Sequence, residues 1–550
     1  MMINGAQIII EELVRNGVDT VFGYPGGTVL PLYEELYLNA DRINHVITAH
    51  EQGAAHAADG YARATGTTGV VIATSGPGAT NLVTGIANAY LDSIPMVAIT
   101  GNVAVPLIGK DSFQEVDIMG ITQPVVKHNF VVRYIEHLPF ILSEAFKIAS
   151  TGRKGPVLVD VPKDIQTSMY DYEPATKSKI KGPKQVDFAL DRALEALKES
   201  KRPFIYAGGG VIASGAEKEL LAFSQKINAP IALSMMGLTA ISADYDLNLG
   251  MCGMHGSHSS NLAQANSDLI IAVGVRFSDR ATGDVNKYAD GKKVIHIDID
   301  RAEICKNIHG VIPCQGDIKN VLNVLLTVAD DFKNDEWLKQ IEEYKAGDIN
   351  IVNDEFTPKN IIEAVNATTE VDTVIATDVG QHQMWTMLYY KFRQPRTLLT
   401  SGGLGTMGYG LGAAIGGCIG AGRKRTILFT GDGSFGMNLN EMATAVSQKL
   451  PITVVLLNNG VLGMVRQWQT MFYDKHYSST TLARKTNFAM LGQAFGANGY
   501  TATTLAELNA ALEATKDSEY PTIIDCQIFE DEMVLPMIPP GGSVADIVVK

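Results

Sequence analysis

Short apolar runs alternate with amphipathic stretches along most of the chain. From Gly69 to Gly101, "GVVIATSGPGATNLVTGIANAYLDSIPMVAITG" predicts an apolar strand, a glycine-rich turn, an amphipathic helix and a second apolar strand. From Arg425 to Gly460, "RTILFTGDGSFGMNLNEMATAVSQKLPITVVLLNNG" repeats that order. Both are βαβ units, which belong to parallel sheets, so the two ends of the chain predict two related α/β domains. Between them, "RPFIYAGGGVI", "APIALSMMG", "SDLIIAVGVRF" and "KKVIHIDID" predict the strands of a third, nucleotide-binding-like unit. The N-terminal stretch "MMINGAQIIIEELVRNGVDTVFG" predicts an amphipathic helix leading into a strand, with glutamates where a signal peptide would need an apolar region.

A length of 550 residues is too long for one core and fits about three domains. Polar, charged runs suggest linkers, "YEPATKSKIKGPKQVD" and "KNDEWLKQIEEYKAGDINIVNDEFTPKN". The resulting division is 1–165, a linker at 166–190, a central domain at 191–330, a second linker at 331–357, a last domain at 358–530 and a tail at 531–550. The segment from Gly402 to Gly422 is uncharged and long enough to imitate a membrane span. Nearly half of it is glycine, so a buried helix near a ligand is the expectation and no membrane is involved. A net charge of −14 argues against nucleic acid as a partner. Five scattered cysteines without C-x-x-C spacing fit a reducing cytoplasm.

Ligands of parallel sheets collect beyond the carboxyl ends of the strands. Asp432 is expected to end one apolar strand and Asn459 the next, so both would face one crevice. Both are hard oxygen donors, and a site with few protein oxygens suits Mg²⁺ shared with phosphates and water. Gly431 and Gly433 allow close backbone approach, and Ser434 with the amides opening the next helix can hold phosphate oxygens. Alone, either dipeptide is an ordinary turn. Together, one helix and one strand apart, they describe a Mg²⁺-diphosphate clamp.

That G-D-G, followed about 25 residues later by N-N, is the signature of thiamine-diphosphate enzymes, which this sequence resembles. The resemblance implies that Asp432, Asn459 and the backbone carbonyl of Val461 bind the metal. In "AHEQGAAHAADGYARATG", Glu51 is expected to end a strand before an amphipathic helix, and the likeness turns it from a helix-start residue into the activating glutamate. In such enzymes that carboxylate hydrogen-bonds the aminopyrimidine and promotes loss of the thiazolium proton, while the cofactor supplies the electronics. Related enzymes place the glutamate and the metal on different subunits, which implies at least a homodimer, with a homotetramer as the larger option.

Over nearly the whole length the closest likeness is to the large catalytic subunits of acetolactate (acetohydroxyacid) synthases. "FGYPGGTVLPLYEEL", "DSFQEVDI", "GRKGPVLVDVPKDIQ", "LGMVRQWQTMFY" and "VLPMIPPGG" carry it. The likeness implies a three-domain α/β fold with pyrimidine (PYR), Rossmann-like FAD and diphosphate (PP) domains, all doubly wound parallel sheets. It implies decarboxylation of pyruvate and condensation of the resulting hydroxyethyl carbanion with pyruvate or 2-oxobutanoate, for valine, leucine and isoleucine synthesis. Thiamine diphosphate would meet Tyr24, Pro25, Pro77, Asn81, Gln381, His382, Gly405, Met407 and Met464 besides the residues already named. Arg280 resembles the arginine that holds the second carboxylate, and Trp468 the tryptophan that favours 2-oxobutanoate. Phe113, Gln114 and Lys163 resemble lining residues of the same pocket.

A structural FAD would lie along Arg153, Gly208, Gly209, Gly210, Met254, His255, Gly274, Arg276, Asp298 and Asp317. Ser278 in "RFSDR" stands where many members have an aspartate. Without the likeness, Met407, Phe113 and Trp468 would be core residues and Arg280 and Lys163 solvated surface. The alternatives are a fermentative, FAD-independent synthase, another thiamine enzyme such as a pyruvate oxidase or decarboxylase, and a noncatalytic nucleotide-binding module. A small regulatory subunit is a further possible partner.

Overall fold

The computed structural model describes residues 1–174, 187–348 and 353–549. Three sheets organise it. The first runs, in spatial order, Asn44–Ile47, Thr20–Gly23, Gly69–Ala73, Met96–Asn102, Pro156–Pro162 and His128–Val131. The last runs Leu398–Leu399, Val374–Thr377, Thr426–Gly431, Ile452–Asn458, Thr522–Gln527 and Asn498–Ala502. Every pairing in both is parallel. Numbered within each domain, the strands follow the same 2-1-3-4-6-5 order, so the two ends of the chain share one topology.

The middle sheet runs Asn248–Met251, Ile231–Leu233, Pro203–Ala207, Leu269–Val273, Lys293–Asp298 and Ile312–Gln315, with Asp187–Phe188 antiparallel at the edge. Its parallel strands follow the 3-2-1-4-5-6 order of dinucleotide-binding sheets. Strand interiors such as Gly69–Ala73 and Leu269–Val273 are buried throughout, as parallel sheets covered on both faces require.

The two end domains meet chiefly through one helix pair, Glu51–Thr65 and Tyr409–Gly420. Glycine lets the backbones touch: a Cβ on Gly416 would lie 1.8 Å from the Ala57 carbonyl oxygen, and one on Gly60 2.2 Å from that of Ala413. Beside the pair, buried Asp59 accepts from Arg63 Nε (2.5 Å) and the Tyr409 hydroxyl (2.6 Å), and Arg63 also reaches Asp92 (2.9 Å). The glycine-rich stretch expected to form a buried helix does so from Tyr409, and among the described residues no helix is long and apolar enough to cross a membrane.

Of the first linker, 175–186 lie outside the described residues; at its start the helix Lys163–Thr167 runs into it and the strand Met169–Asp171 pairs antiparallel with Met2–Asn4. Inside the second, Asp335–Ala346 is a helix that buries Trp337 and Ile341 against the middle domain, with Trp337 Nε1 donating to the Pro203 carbonyl (3.0 Å). The apolar spacing Trp337, Ile341, Tyr344 carried that signal within a charged run.

Candidate functional site

A doubly wound sheet opens a crevice where strand order reverses, beyond the carboxyl ends of the strands. In the last domain this lies between Val374–Thr377 and Thr426–Gly431. The first strand runs into Asp378, Gln381 and His382. The second ends at Gly431, so Asp432 is the first residue of the helix Asp432–Asn438 rather than the end of the strand. Gly431 pairs with Leu457, which brings Asn459 alongside. Asn459 Nδ2 donates to Gln381 Oε1 (3.2 Å), and Asn459 Oδ1 accepts from Val461 N (3.3 Å). A Cβ on Gly431 would lie 2.9 Å from His382 Nδ1, and one on Gly433 3.9 Å from the Met407 methyl. Gln381, His382, Met407, Gly431, Asp432, Gly433, Ser434, Asn459 and Val461 therefore form one cluster.

The donor chemistry fits a metal-bound diphosphate. Burial pushes the Asp432 carboxyl up to about 6, so its ionised form is poorly solvated, and a cation there would favour it. His382 Nε2 is buried with no hydrogen-bond partner, and burial depresses its pKa to about 3. Asp378, which sequence reasoning missed, is almost fully buried and accepts from Gly408 N (2.7 Å) and Val379 N (3.1 Å). It thereby fixes the backbone beside Met407. Its only sequence signal is its place after an apolar strand.

The corresponding crevice of the first domain gathers the N-terminal candidates. Tyr24 and Pro25 follow Thr20–Gly23, and Pro77 and Asn81 form the helix after Gly69–Ala73. Glu51 opens its helix four residues beyond the strand Asn44–Ile47 instead of ending that strand. Asn81 Nδ2 donates to Glu51 Oε2 (3.0 Å). Gln114, at φ +58°, packs its backbone against Gly76, where a Cβ would lie 2.8 Å from the Gln114 carbonyl oxygen. Tyr24 (42% exposed), Phe113 (87%) and Lys163 leave this crevice open to solvent within one chain.

A cavity of about 1780 Å³ lies where the three domains meet. Gly405, Met407, Met464, Trp468 and Arg280 line one part of it, but none of Tyr24, Pro25, Glu51, Pro77, Asn81, Phe113, Gln114 or Lys163 does. The Arg280 guanidinium lies over the Trp468 ring, 5.6 Å from its centroid, with Nη1 3.8 Å from Met254 Sδ. The rest of the cavity follows the switch point of the middle sheet. Gly208–Gly210 follow one strand and Gly274 the other, and a Cβ on Gly208 would lie 2.3 Å from the Gly274 carbonyl oxygen.

Arg153, Gly209, Gly210, Met254, His255, Gly274, Arg276, Ser278, Asp298 and Asp317 all line it. His255 Nδ1 is buried without a partner, and burial pushes the Asp298 carboxyl up to about 6. Asp317 caps the helix Ile318–Val328 by accepting from Asn320 N (3.2 Å), and Arg153 is paired with Glu303 (2.7 Å). Arg276 Nη1 donates to the Leu91 carbonyl (2.5 Å), tying the middle domain to the first.

Comparison with known proteins agrees with this architecture. Family models for thiamine pyrophosphate enzymes match three times: the N-terminal TPP-binding domain over residues 3–121, the central domain over 190–325 and the C-terminal TPP-binding domain over 378–526. The acetolactate synthase isozyme 2 large subunit of Escherichia coli is 43% identical over the full length of both chains. The acetolactate synthase large subunit of Corynebacterium glutamicum is 44% identical over 99% of this chain and 90% of its own. A probable acetolactate synthase large subunit of Methanocaldococcus jannaschii is 44% identical over 99% of this chain and 95% of its own. The chain belongs to the thiamine-diphosphate-dependent enzymes, in the family of acetolactate synthase large subunits.

Proposed function

We propose that this chain catalyses acetolactate formation as a biosynthetic acetolactate synthase, joining pyruvate to a second pyruvate or to 2-oxobutanoate. The observation that carries this reading is the Arg280–Trp468 pair in the same cavity as Met407 and Met464. A decarboxylase or oxidase needs no cationic fork for a second keto acid, whereas a synthase does.

When bound, thiamine diphosphate would supply the electron sink for decarboxylation and carbon–carbon bond formation. Asp432, Asn459 and the Val461 carbonyl would hold Mg²⁺, and Ser434 with the amides opening the helix Asp432–Asn438 would hold the diphosphate. Met407 and Met464 would flank the ring system. Glu51 holds and returns a proton at the pyrimidine, steadied by Asn81. Arg280 orients the acceptor carboxylate, and Trp468 sets the room for its alkyl group.

Two features support a site shared between chains. Glu51 and its neighbours stay outside the cavity of their own chain, and exposed apolar side chains rim both halves, including Phe113, Leu404 and Met437. A homodimer is the smallest assembly that completes the site. The glycine crevice and the buried, unpartnered Nδ1 of His255 support a bound FAD, which is structural because the reaction has no net redox step. Relatives carry the name large subunit, which supports a small regulatory partner. The free cysteines fit the cytoplasm. Domain limits of 1–165, 191–330 and 358–530 remain our division, with Asp335–Ala346 packed on the central unit.

The test is to incubate the purified chain with pyruvate, Mg²⁺ and thiamine diphosphate, with and without FAD. Acetolactate that depends on flavin is expected. Acetolactate without flavin contradicts the biosynthetic assignment, and acetaldehyde or acetate alone contradicts the acceptor site.

A further inference from the structure

Glu441 is fully buried and lies in the last domain, nine residues beyond Asp432, yet its carboxylate is spent on the first domain. Oε2 accepts from Ala49 N (3.1 Å) and Oε1 from His50 N (3.0 Å), the two amides directly before Glu51. Thr444 Oγ1 donates to Oε2 (2.6 Å) and fixes the carboxylate from its own side. Gly53 makes room for it, because a Cβ there would lie 2.1 Å from Glu441 Oε1. Burial raises its pKa, so the fold tolerates a poorly solvated acid to make these bonds. An ordinary helix start is capped from within its own segment, and His50 Nδ1 already accepts from Gln52 N (3.1 Å).

We propose that Glu441 is a positioning residue for the activating carboxylate. By clamping the Ala49 and His50 amides from the other thiamine-binding domain, it sets where Glu51 projects. The inference rests on the role proposed for Glu51. A displacement of about 1 Å at a proton-handling group slows its step by roughly a hundredfold, and loss of the clamp frees the turn that carries Glu51.

The test uses full-length holoenzyme carrying Glu441→Ala, Glu441→Gln or Glu51→Gln. Three quantities are read: thiamine diphosphate affinity by titration calorimetry, acetolactate turnover, and deuterium exchange at the thiazolium C2 position of bound cofactor by quenched NMR. Glu441→Ala is expected to slow C2 exchange at least tenfold at saturating cofactor, with affinity within about threefold of wild type. Glu441→Gln, which keeps one accepting oxygen, should slow exchange by an amount between about threefold and that of Glu441→Ala.

Exchange slowed less than threefold in Glu441→Ala overturns the positioning role, as does an equal loss of cofactor affinity, which a merely structural residue would produce. If Glu441→Ala does not fold, Glu441→Gln decides by the same threefold criterion. Slow exchange in Glu51→Gln beside wild-type exchange in the Glu441 variants overturns only the clamp. Wild-type exchange in Glu51→Gln overturns the Glu51 reading with it.

Discussion

Gly416→Ala tests whether the helix pair Glu51–Thr65 and Tyr409–Gly420 joins the end domains by backbone contact. The added Cβ would sit 1.8 Å from the Ala57 carbonyl oxygen, roughly 1.5 Å inside ordinary C···O contact. A backbone carbonyl cannot swing aside as a side chain can, so the helices must separate. Overpacking of this kind costs about 1–3 kcal/mol and more when backbone must move. Replacing a helical glycine with alanine returns about 1 kcal/mol. The net loss is up to about 2 kcal/mol, which lowers the melting temperature by up to roughly 4–8 °C for domains of this size. Gly27→Ala, where no atom lies within 4 Å of the new Cβ, is the control. Thermal unfolding by circular dichroism reads both. A Gly416→Ala melting temperature equal to or above that of wild type refutes the close-contact argument.

Three further outcomes follow from the site. Glu51→Gln should slow acetolactate turnover by roughly 10²- to 10⁴-fold, the span of acid-base catalysis, and turnover within about threefold of wild type would contradict its role. Trp468→Leu should lower the preference for 2-oxobutanoate about tenfold in a competition against pyruvate, read as the ratio of the two products; an unchanged ratio removes Trp468 from the acceptor pocket. Asp432, raised by burial to about 6, must be ionised to hold Mg²⁺, so Mg²⁺ affinity should fall about tenfold per pH unit below 6. Without metal the sign reverses. A carboxyl whose folded pKa exceeds its unfolded value of about 4 favours the fold below that value, and the contribution is lost as pH rises through about 6. Metal-free Asp432→Asn should then melt above wild type at pH 7.5, and a lower melting temperature would contradict the burial argument.

What the sequence revealed depended on how local each signal was. The two end βαβ units, the glycine turns at Gly208–Gly210 and Gly431–Gly433, and the paired placement of Asp432 and Asn459 follow from apolar runs punctuated by turn residues. The shared 2-1-3-4-6-5 strand order did not, because it arises from pairings between distant strands. Nor did Glu441 and Asp378, whose partners are set by packing: Glu441 reaches residues more than 390 positions away. The helix Asp335–Ala346 was masked by its charge, since only Trp337 and Ile341 are buried, with Tyr344 half-buried beside them. Glu51 and Asp432 each opened a helix where a strand end was expected, a shift within the usual uncertainty of element boundaries.

A site completed by two chains is tested most directly by mixing two inactive ones. Glu51→Gln and Asp432→Asn chains are unfolded, combined in equal amounts, refolded with Mg²⁺, thiamine diphosphate and FAD, and assayed for acetolactate. If Glu51 of one chain serves the metal site of its partner, each mixed dimer carries one intact site and one doubly damaged site. Activity should return to roughly a quarter of the wild-type level under the same treatment. If both residues served one site within a chain, every site in the mixture would carry one damage, and activity no higher than that of the separate variants would contradict the shared site.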